Sequence, residues 1–344
     1  IEAPWTMVIM APGEKILQPI IRFKLLYILT FAISILLILF FIRQSTNRVT
    51  SRIKEISDAA DDLAKGNFGP PLSITTLDEV GELTRSFNKM TGQLKNRLAM
   101  KKEINIAREV QQNLLPSDSF SAEGLVASGV SLYCDETGGD YFDIVTFPDN
   151  DQKVSVVVGD VVGHGIGAAL LMTTVRALLR CRIFLPGRLD QMMNDVNRLL
   201  CRDTSMSGSF VTLFYLEVDR RQNTIRWVRG GHDPAIVYCP VSREFSELKG
   251  NGVALGVDAN LSFEYNELPV SEEEQLILIG SDGAWEVENA SGEQFGKERI
   301  RQILAAASDL QPEEILQHIV EEIFDFRGKT QQNDDITLVI VKTG

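Results

Sequence analysis

The sequence predicts an α+β protein in which an antiparallel sheet core with helices outside follows a membrane-spanning helix and a two-helix module. Three observations carry this. An uncharged apolar run, Leu25–Ile42, is long enough to cross a bilayer. After it, apolar residues recur at helical steps on both sides of Gly69-Pro70-Pro71. From about Pro116, short β-branched runs joined by turns are mixed with four helical stretches.

Bulk properties bound the function. A chain of 344 residues has room for two or three domains. With 44% hydrophobic and 24% charged residues it has the make-up of folded protein. The formal net charge of -13 argues against a nucleic-acid partner, because phosphate backbones demand a basic face. Part of the acidity is free to hold cations. Cys134, Cys181, Cys201 and Cys239 are far apart and form no Cys-x-x-Cys pair, so neither a zinc site nor a disulfide framework is expected. The chain starts at Ile1 and is read as a piece of a longer protein, or a processed one.

Residues 1–24, with Trp5, Pro12 and Pro19, are too short to fold alone and read as the end of an extracytoplasmic sensor segment. Residues 25–42 are the span, about 27 Å as a helix. Phe40-Phe41-Ile42-Arg43 offers no small-residue cleavage site, which argues against a signal peptide. Arg43, Arg48, Arg52 and Lys54 follow the span and Lys15, Arg22 and Lys24 precede it, a slight positive bias towards the C-terminal side.

Residues 43–96 read as the two-helix module. Val49, Ile53, Ile56, Ala60 and Leu63 form a coiled-coil-type seam that stops at Gly66. The Gly-Pro-Pro connector cannot be helical. A second helix opens on Asp78 and Glu79, acids suited to a helix N-terminus, and its seam is Leu83, Phe87, Met90 and Leu94. This pattern resembles a HAMP domain, and Asp78-Glu79-Val80-Gly81-Glu82-Leu83 matches that family's second-helix opening. Thr50 and Ser51 stand where the family usually has a proline. The resemblance implies a parallel four-helix bundle, hence a homodimer.

Residues 97–116 continue the helix as a linker. Leu98 shifts the phase of the seam, as in a stutter, and Ile104, Ala107, Val110 and Leu114 follow before Pro116. A phase shift can hold two windings of similar energy, so this helix is expected to transmit a signal.

Residues 117–344 form the last domain. Val154–Val158, Phe210–Val218, Thr224–Val228, Leu276–Ile279 and Ile336–Val341 read as strands, with a turn over Asp219–Asn223. Gly167–Arg182, Leu189–Arg202, Lys297–Ala306 and Pro312–Phe326 read as helices. Aspartates cluster at the strand ends: Gly138-Gly139-Asp140-Tyr141-Phe142-Asp143, Gly159-Asp160-Val161-Val162-Gly163-His164-Gly165, Ser281-Asp282-Gly283 and Asn333-Asp334-Asp335. Carboxylates so placed can converge, and converging carboxylates repel unless cations intervene. A donor set of oxygens alone selects hard ions such as Mg²⁺ or Mn²⁺.

In this order and on these strands, the four motifs resemble the metal-dependent type 2C (PPM) protein phosphatases, and more closely the bacterial subgroup of RsbU and SpoIIE. The resemblance runs from Ala107 to Gly344 and includes Ala107–Pro116 and Asp335-Ile336-Thr337-Leu338-Val339. It implies an α-β-β-α sandwich of two antiparallel sheets and a site with two divalent cations, Mn²⁺ or Mg²⁺. It implies that Asp160 bridges the cations and that the Val161 carbonyl adds a ligand. Asp140 acts at the same site directly or through water, and Asp282 and Asp334 complete the shell, with Asp335 as the neighbouring alternative. It further implies hydrolysis of phosphoserine or phosphothreonine on a STAS-type anti-sigma antagonist, by a domain on the cytoplasmic side of a bacterial inner membrane.

His164 stands too far beyond Asp160 to match the histidine of eukaryotic relatives, and it and His232 are assigned to structural hydrogen bonding. The eukaryotic phosphate-binding arginine has no counterpart. Arg176 and Arg180, one turn apart, are assigned to surface or partner contacts. Two other readings stay open. Gly138–Phe142 resembles the diguanylate cyclase signature, with Tyr141 in place of an essential acid. A catalytically dead module that binds a phosphoprotein is the second. A histidine kinase is disfavoured, since no histidine lies on the helix after the two-helix module.

Overall fold

The computed structural model describes Met7 and residues 13–116 and 119–344, with side chains from residue 18 onward in the first helix. Trp5 and Pro12, read as part of a sensor segment, lie outside the described residues, as do Ser117 and Asp118 where the last domain is expected to open. The chain divides into two compact units, Ile1–Met100 and Lys101–Gly344.

In the first unit, α1 (Gly13–Ala64) runs unbroken through the apolar segment. It contains a window of mean hydropathy 2.9, none of it buried, and so is long and apolar enough to cross a membrane. The helix ends where Gly66, at φ +84°, donates its N–H to the Leu63 carbonyl at 2.9 Å. The connector is pinned at Leu72: the Asn88 amide accepts its N–H at 2.9 Å and donates to its carbonyl at 2.8 Å. The next helix, α2 (Glu79–Leu114), starts with Asp78 accepting the Gly81 N–H at 3.1 Å, a side-chain cap. Ile56, Leu63 and Phe87 of the predicted seams are half-buried, whereas Val49, Ile53, Leu83, Met90 and Leu94 are exposed.

The second unit carries β1 (Ser119–Ala122), β2 (Leu125–Leu132), β3 (Tyr141–Phe147), β4 (Asn150–Val161), α3 (Ile166–Ile183), α4 (Leu189–Thr204), β5 (Val211–Asp219) and β6 (Thr224–Gly230). β7 (Ala235–Cys239), β8 (Glu244–Leu248), β9 (Asn266–Pro269), β10 (Gln275–Gly280), α5 (Lys297–Ala306), α6 (Pro312–Arg327) and β11 (Ile336–Thr343) complete it. One sheet has the order β1-β2-β11-β10-β7-β8 and the other β3-β4-β5-β6-β9, all antiparallel.

Alternation along the strands decides the layers. Val154, Val156 and Val158 of β4 face Val339 and Val341 of β11 in the core between the sheets. Val157, Leu213 and Tyr215 turn the other way and are covered by Met172, Val175 and Leu179 of α3 and Met193, Val196 and Leu200 of α4. Leu276, Leu278, Leu338 and Ile340 are covered on the far side by α5 and α6. The result is the expected α-β-β-α sandwich. The β5–β6 turn falls where the sequence places it, with the Asp219 carboxylate accepting the Gln222 N–H at 3.0 Å and Asn223 at φ +56°.

Arg176 and Arg180 are corrected by the structure. Arg180 binds the carboxylate of the fully buried Asp143 with Nε and Nη2, each at 2.6 Å. Tyr141 donates its hydroxyl to the same carboxylate at 2.9 Å, and Arg176 Nε lies 3.8 Å away. Asp143 points from β3 into the layer beneath α3, where water cannot solvate it, so α3 must bring the countercharge.

Candidate metal centre

Both sheets contribute strand ends to one place. Asp140 immediately precedes β3, and Asp160 lies near the end of β4 opposite Thr212 of β5. Ser281 and Asp282 follow β10, and Asp334 and Asp335 precede β11. Hydrogen bonds tie these segments together. Ser281 Oγ donates to Asp140 Oδ2 at 2.7 Å and accepts the Thr337 N–H at 3.0 Å. Asp335 accepts the Cys134 N–H on one oxygen and the Gly139 N–H on the other, each at 2.8 Å. A Cβ on Gly139 would lie 2.9 Å from both the Val161 and Gly163 carbonyl oxygens, and one on Gly283 would run into the Asp335 carbonyl. These glycines let the four motifs close on each other. Gly163 and Gly165, at φ +84° and +78°, carry the chain from Val161 into α3.

The acids differ in setting. Asp140 is buried, Asp160 is half-buried, and Asp282 and Asp334 are exposed. Asp335 is buried and both its oxygens receive backbone N–H groups, which makes it the anchor of the turn. Its own N–H donates to Asp334 Oδ1 at 2.8 Å. Burial, then repulsion from Asp282, Asp334 and Asp335, pushes Asp160 up to about 7. Burial, then repulsion from Asp160, raises Asp140 as well. Among the described residues no three metal-ligating side chains are drawn together into a finished shell. The acids instead share one field of mutual repulsion, and that is a donor set suited to divalent ions.

No soft donor competes. The Cys134 thiol is pushed up to about 12 by burial and by Asp335, so it stays protonated. His164 is largely exposed and its Nδ1 lies 2.6 Å from Asp135. His232 is buried, with Nδ1 2.9 Å from Thr212 Oγ1, and burial lowers it to about 4. Both histidines are therefore engaged in hydrogen bonding, as the sequence suggests.

Beside Asp160 and Asp282 lies a cavity of about 180 Å³, whose wall includes Thr212, His232, Asp233 and Glu286. Sequence reasoning missed Glu286, which no motif marks. It also missed the roles of the Ser281 hydroxyl and Gln111, although both residues stand inside quoted motifs.

Comparison with known proteins settles the family. A family model described as stage II sporulation protein E (SpoIIE) matches residues 150–344, more than half of the chain. The chain belongs to the SpoIIE family. A HAMP domain model matches residues 45–96. The SpoIIE-family chain is 27% identical to protein IcfG of Synechocystis over 333 residues, covering 85% of this chain and 51% of that one. It is 23% identical to the phosphoserine phosphatase RsbU of Bacillus subtilis, covering 71% of this chain and 70% of that one. It thus spans about half the length of IcfG. Among solved structures, the SiaA-PP2C domain of Pseudomonas aeruginosa superposes with a TM-score of 0.62 at 20% identity, over 72% of this chain and 99% of that one. The PP2C phosphatase domain of SpoIIE from Bacillus subtilis gives 0.54 at 16% identity, over 66% and 64%. The fold is that of the PP2C phosphatases.

Proposed function

We propose that this chain is a membrane-anchored, metal-dependent protein serine/threonine phosphatase in a signalling pathway. The observation that carries the reading is that strand ends of both sheets bring Asp140, Asp160, Asp282 and Asp334 into one field, with Asp160 pushed up to about 7 by burial and its acidic neighbours. Residues that repel one another this strongly are stabilised by divalent cations, and Mn²⁺ or Mg²⁺ suit their oxygens. Asp160, Asp282, Asp334 and the Val161 carbonyl would hold two ions, with Asp140 acting directly or through water. Bound there, such ions lower the pKa of a shared water and offset charge on a phosphoryl group. The chain's own contribution is geometric. Ser281 fixes Asp140, Asp335 fixes the Gly138–Gly139 turn, and the glycines keep the approach to the acids open. No cysteine nucleophile is called for.

The named activity of RsbU supports a phosphoserine substrate. The family resemblance points to a phosphorylated STAS-type anti-sigma antagonist as the partner. The apolar helix and HAMP match support a single-pass protein of a bacterial inner membrane with its phosphatase domain in the cytoplasm. The exposed apolar residues of α1 and α2 support a homodimer through the HAMP unit and linker helix.

The test is phosphate release from a phosphoserine protein with and without Mn²⁺. Asp160→Asn and Asp282→Asn should each lower the Mn²⁺-dependent rate by 100-fold or more while the far-ultraviolet dichroism is unchanged. Chelation of the wild type should do the same. A dead phosphoprotein-binding module would release no phosphate at any metal concentration, and full activity in both variants would refute the metal assignment.

A further inference from the structure

Gln111 differs from its neighbours on α2. Arg108, Glu109, Gln112 and Asn113 are exposed, but Gln111 is 3% exposed. Its amide meets a single residue at two points. Nε2 donates to the Gly138 carbonyl at 2.7 Å, and Oε1 accepts the Gly138 N–H at 3.3 Å. Gly138 lies in no strand, so no ladder could pair these groups. A Cβ at Gly138 would run into Tyr133 and the Asp335 carboxylate, so the glycine is held between Gln111 and Asp335. Asp335 receives the next N–H, from Gly139, and Asp140 follows. One hydrogen-bonded path therefore runs from the end of α2 to the first acid of the centre. A buried amide is costly unless paired, and an apolar side chain of similar size would fill the same volume.

We propose that Gln111 is a positioning residue for the metal centre: its amide clamps the Gly138–Gly139 turn and sets Asp140 and Asp335 where cations can be held. The proposal rests on the reading of these carboxylates as a cation site. Because the grip comes from α2, a rotation of that helix's last turns would carry the amide off Gly138 and weaken cation binding.

The experiment uses the 344-residue chain in detergent micelles. Mn²⁺ affinity is read by titration calorimetry, and the turn by hydrogen exchange at residues 138–140. Gln111→Met removes both contacts; it should weaken Mn²⁺ binding at least tenfold, the usual scale for an outer-shell partner. Exchange at the turn should quicken by a similar factor. At saturating Mn²⁺, the KM for a phosphoserine peptide should be unchanged and kcat largely recovered. Gln111→Glu keeps the acceptor but sets a carboxylate oxygen against the Gly138 carbonyl, so it should move the same way and decides the matter if the Met variant does not fold. Gln112→Met, on the exposed side, should match the wild type.

Wild-type Mn²⁺ affinity and turn protection in a folded Gln111 variant would overturn the proposal. A loss of kcat that saturating Mn²⁺ does not restore would also overturn it. A wild-type chain that binds Mn²⁺ yet releases no phosphate would sink the proposed activity alone, since calorimetry and exchange still decide the role of Gln111. A wild type that binds no Mn²⁺ overturns both.

Discussion

His232 shows how one buried side chain makes the whole domain pH-sensitive. It packs in the wall of the cavity beside Asp160, and burial lowers it to about 4 from an ordinary 6.5. The folded state holds it neutral and the unfolded chain does not. Its contribution is therefore intact above pH 6.5, declines as pH falls below that, and is gone near pH 4, a loss of roughly 3 kcal/mol. His232→Gln should accordingly flatten the fall in thermal stability between pH 7 and pH 5, although it lowers stability at pH 7. A variant whose curve keeps the wild-type slope would show that other groups govern the acid limb. At this scale the sequence was informative where chemistry and backbone coincide. Aspartates next to glycine at strand ends marked the candidate centre, and hydrogen bonds such as Ser281–Asp140 and Gly139–Asp335 tie those segments together. What a side chain does with its oxygens was not readable. Asp334 and Asp335 are adjacent and chemically identical, yet one is exposed and the other holds three backbone N–H groups. Only the path of the chain around them makes that difference.

The contact between β3 and α3 shows the same limit one scale up. Asp143 and Arg180 are far apart in sequence and each alone suggests a surface residue. The pairing exists because strand alternation turns Asp143 inward beneath α3. Removing one partner of a buried pair costs about 3–5 kcal/mol, because the other charge is stranded. Arg180→Met should cost near 3 kcal/mol in urea unfolding, since the arginine is partly exposed and Arg176 stays nearby. The double variant Asp143→Leu/Arg180→Met should recover most of that loss. If the double variant is as unstable as the sum of both singles, the two residues do not act as a pair. Helices and β-branched strands were otherwise legible: α3 to α6 begin and end within two residues of their predicted bounds. β1, β2, β7, β8 and β9 were not foreseen. β2 reads Leu-Val-Ala-Ser-Gly-Val-Ser-Leu and β8 reads Glu-Phe-Ser-Glu-Leu, with little β-propensity of their own. Their neighbours in the sheet supply the pairing, which is why propensity is a weaker guide for strands than for helices.

For the molecule as a whole, the question is how the HAMP-matching unit could govern the proposed metal centre. Spacing alone identified the apolar seams, but it could not say which of their residues the chain's own helices cover. Val49, Ile53, Leu83, Met90, Leu94 and Leu98 are left exposed in this chain, and the proposed parallel dimer would cover them. α2 runs from Glu79 to Leu114 as one helix. The phase shift at Leu98 supplies a place where two windings can compete. Single cysteines placed in turn from Met100 to Val110, and oxidised across a dimer, would lock α2 in successive registers, each advanced by about 100°. If helix rotation sets the grip of Gln111 on Gly138, phosphate release at limiting Mn²⁺ should rise and fall with helical period along the series. The differences should shrink when Mn²⁺ is saturating, because excess cation compensates for a loosened turn. Equal rates in every locked register would mean that α2 is a passive tether, whatever the metal centre does.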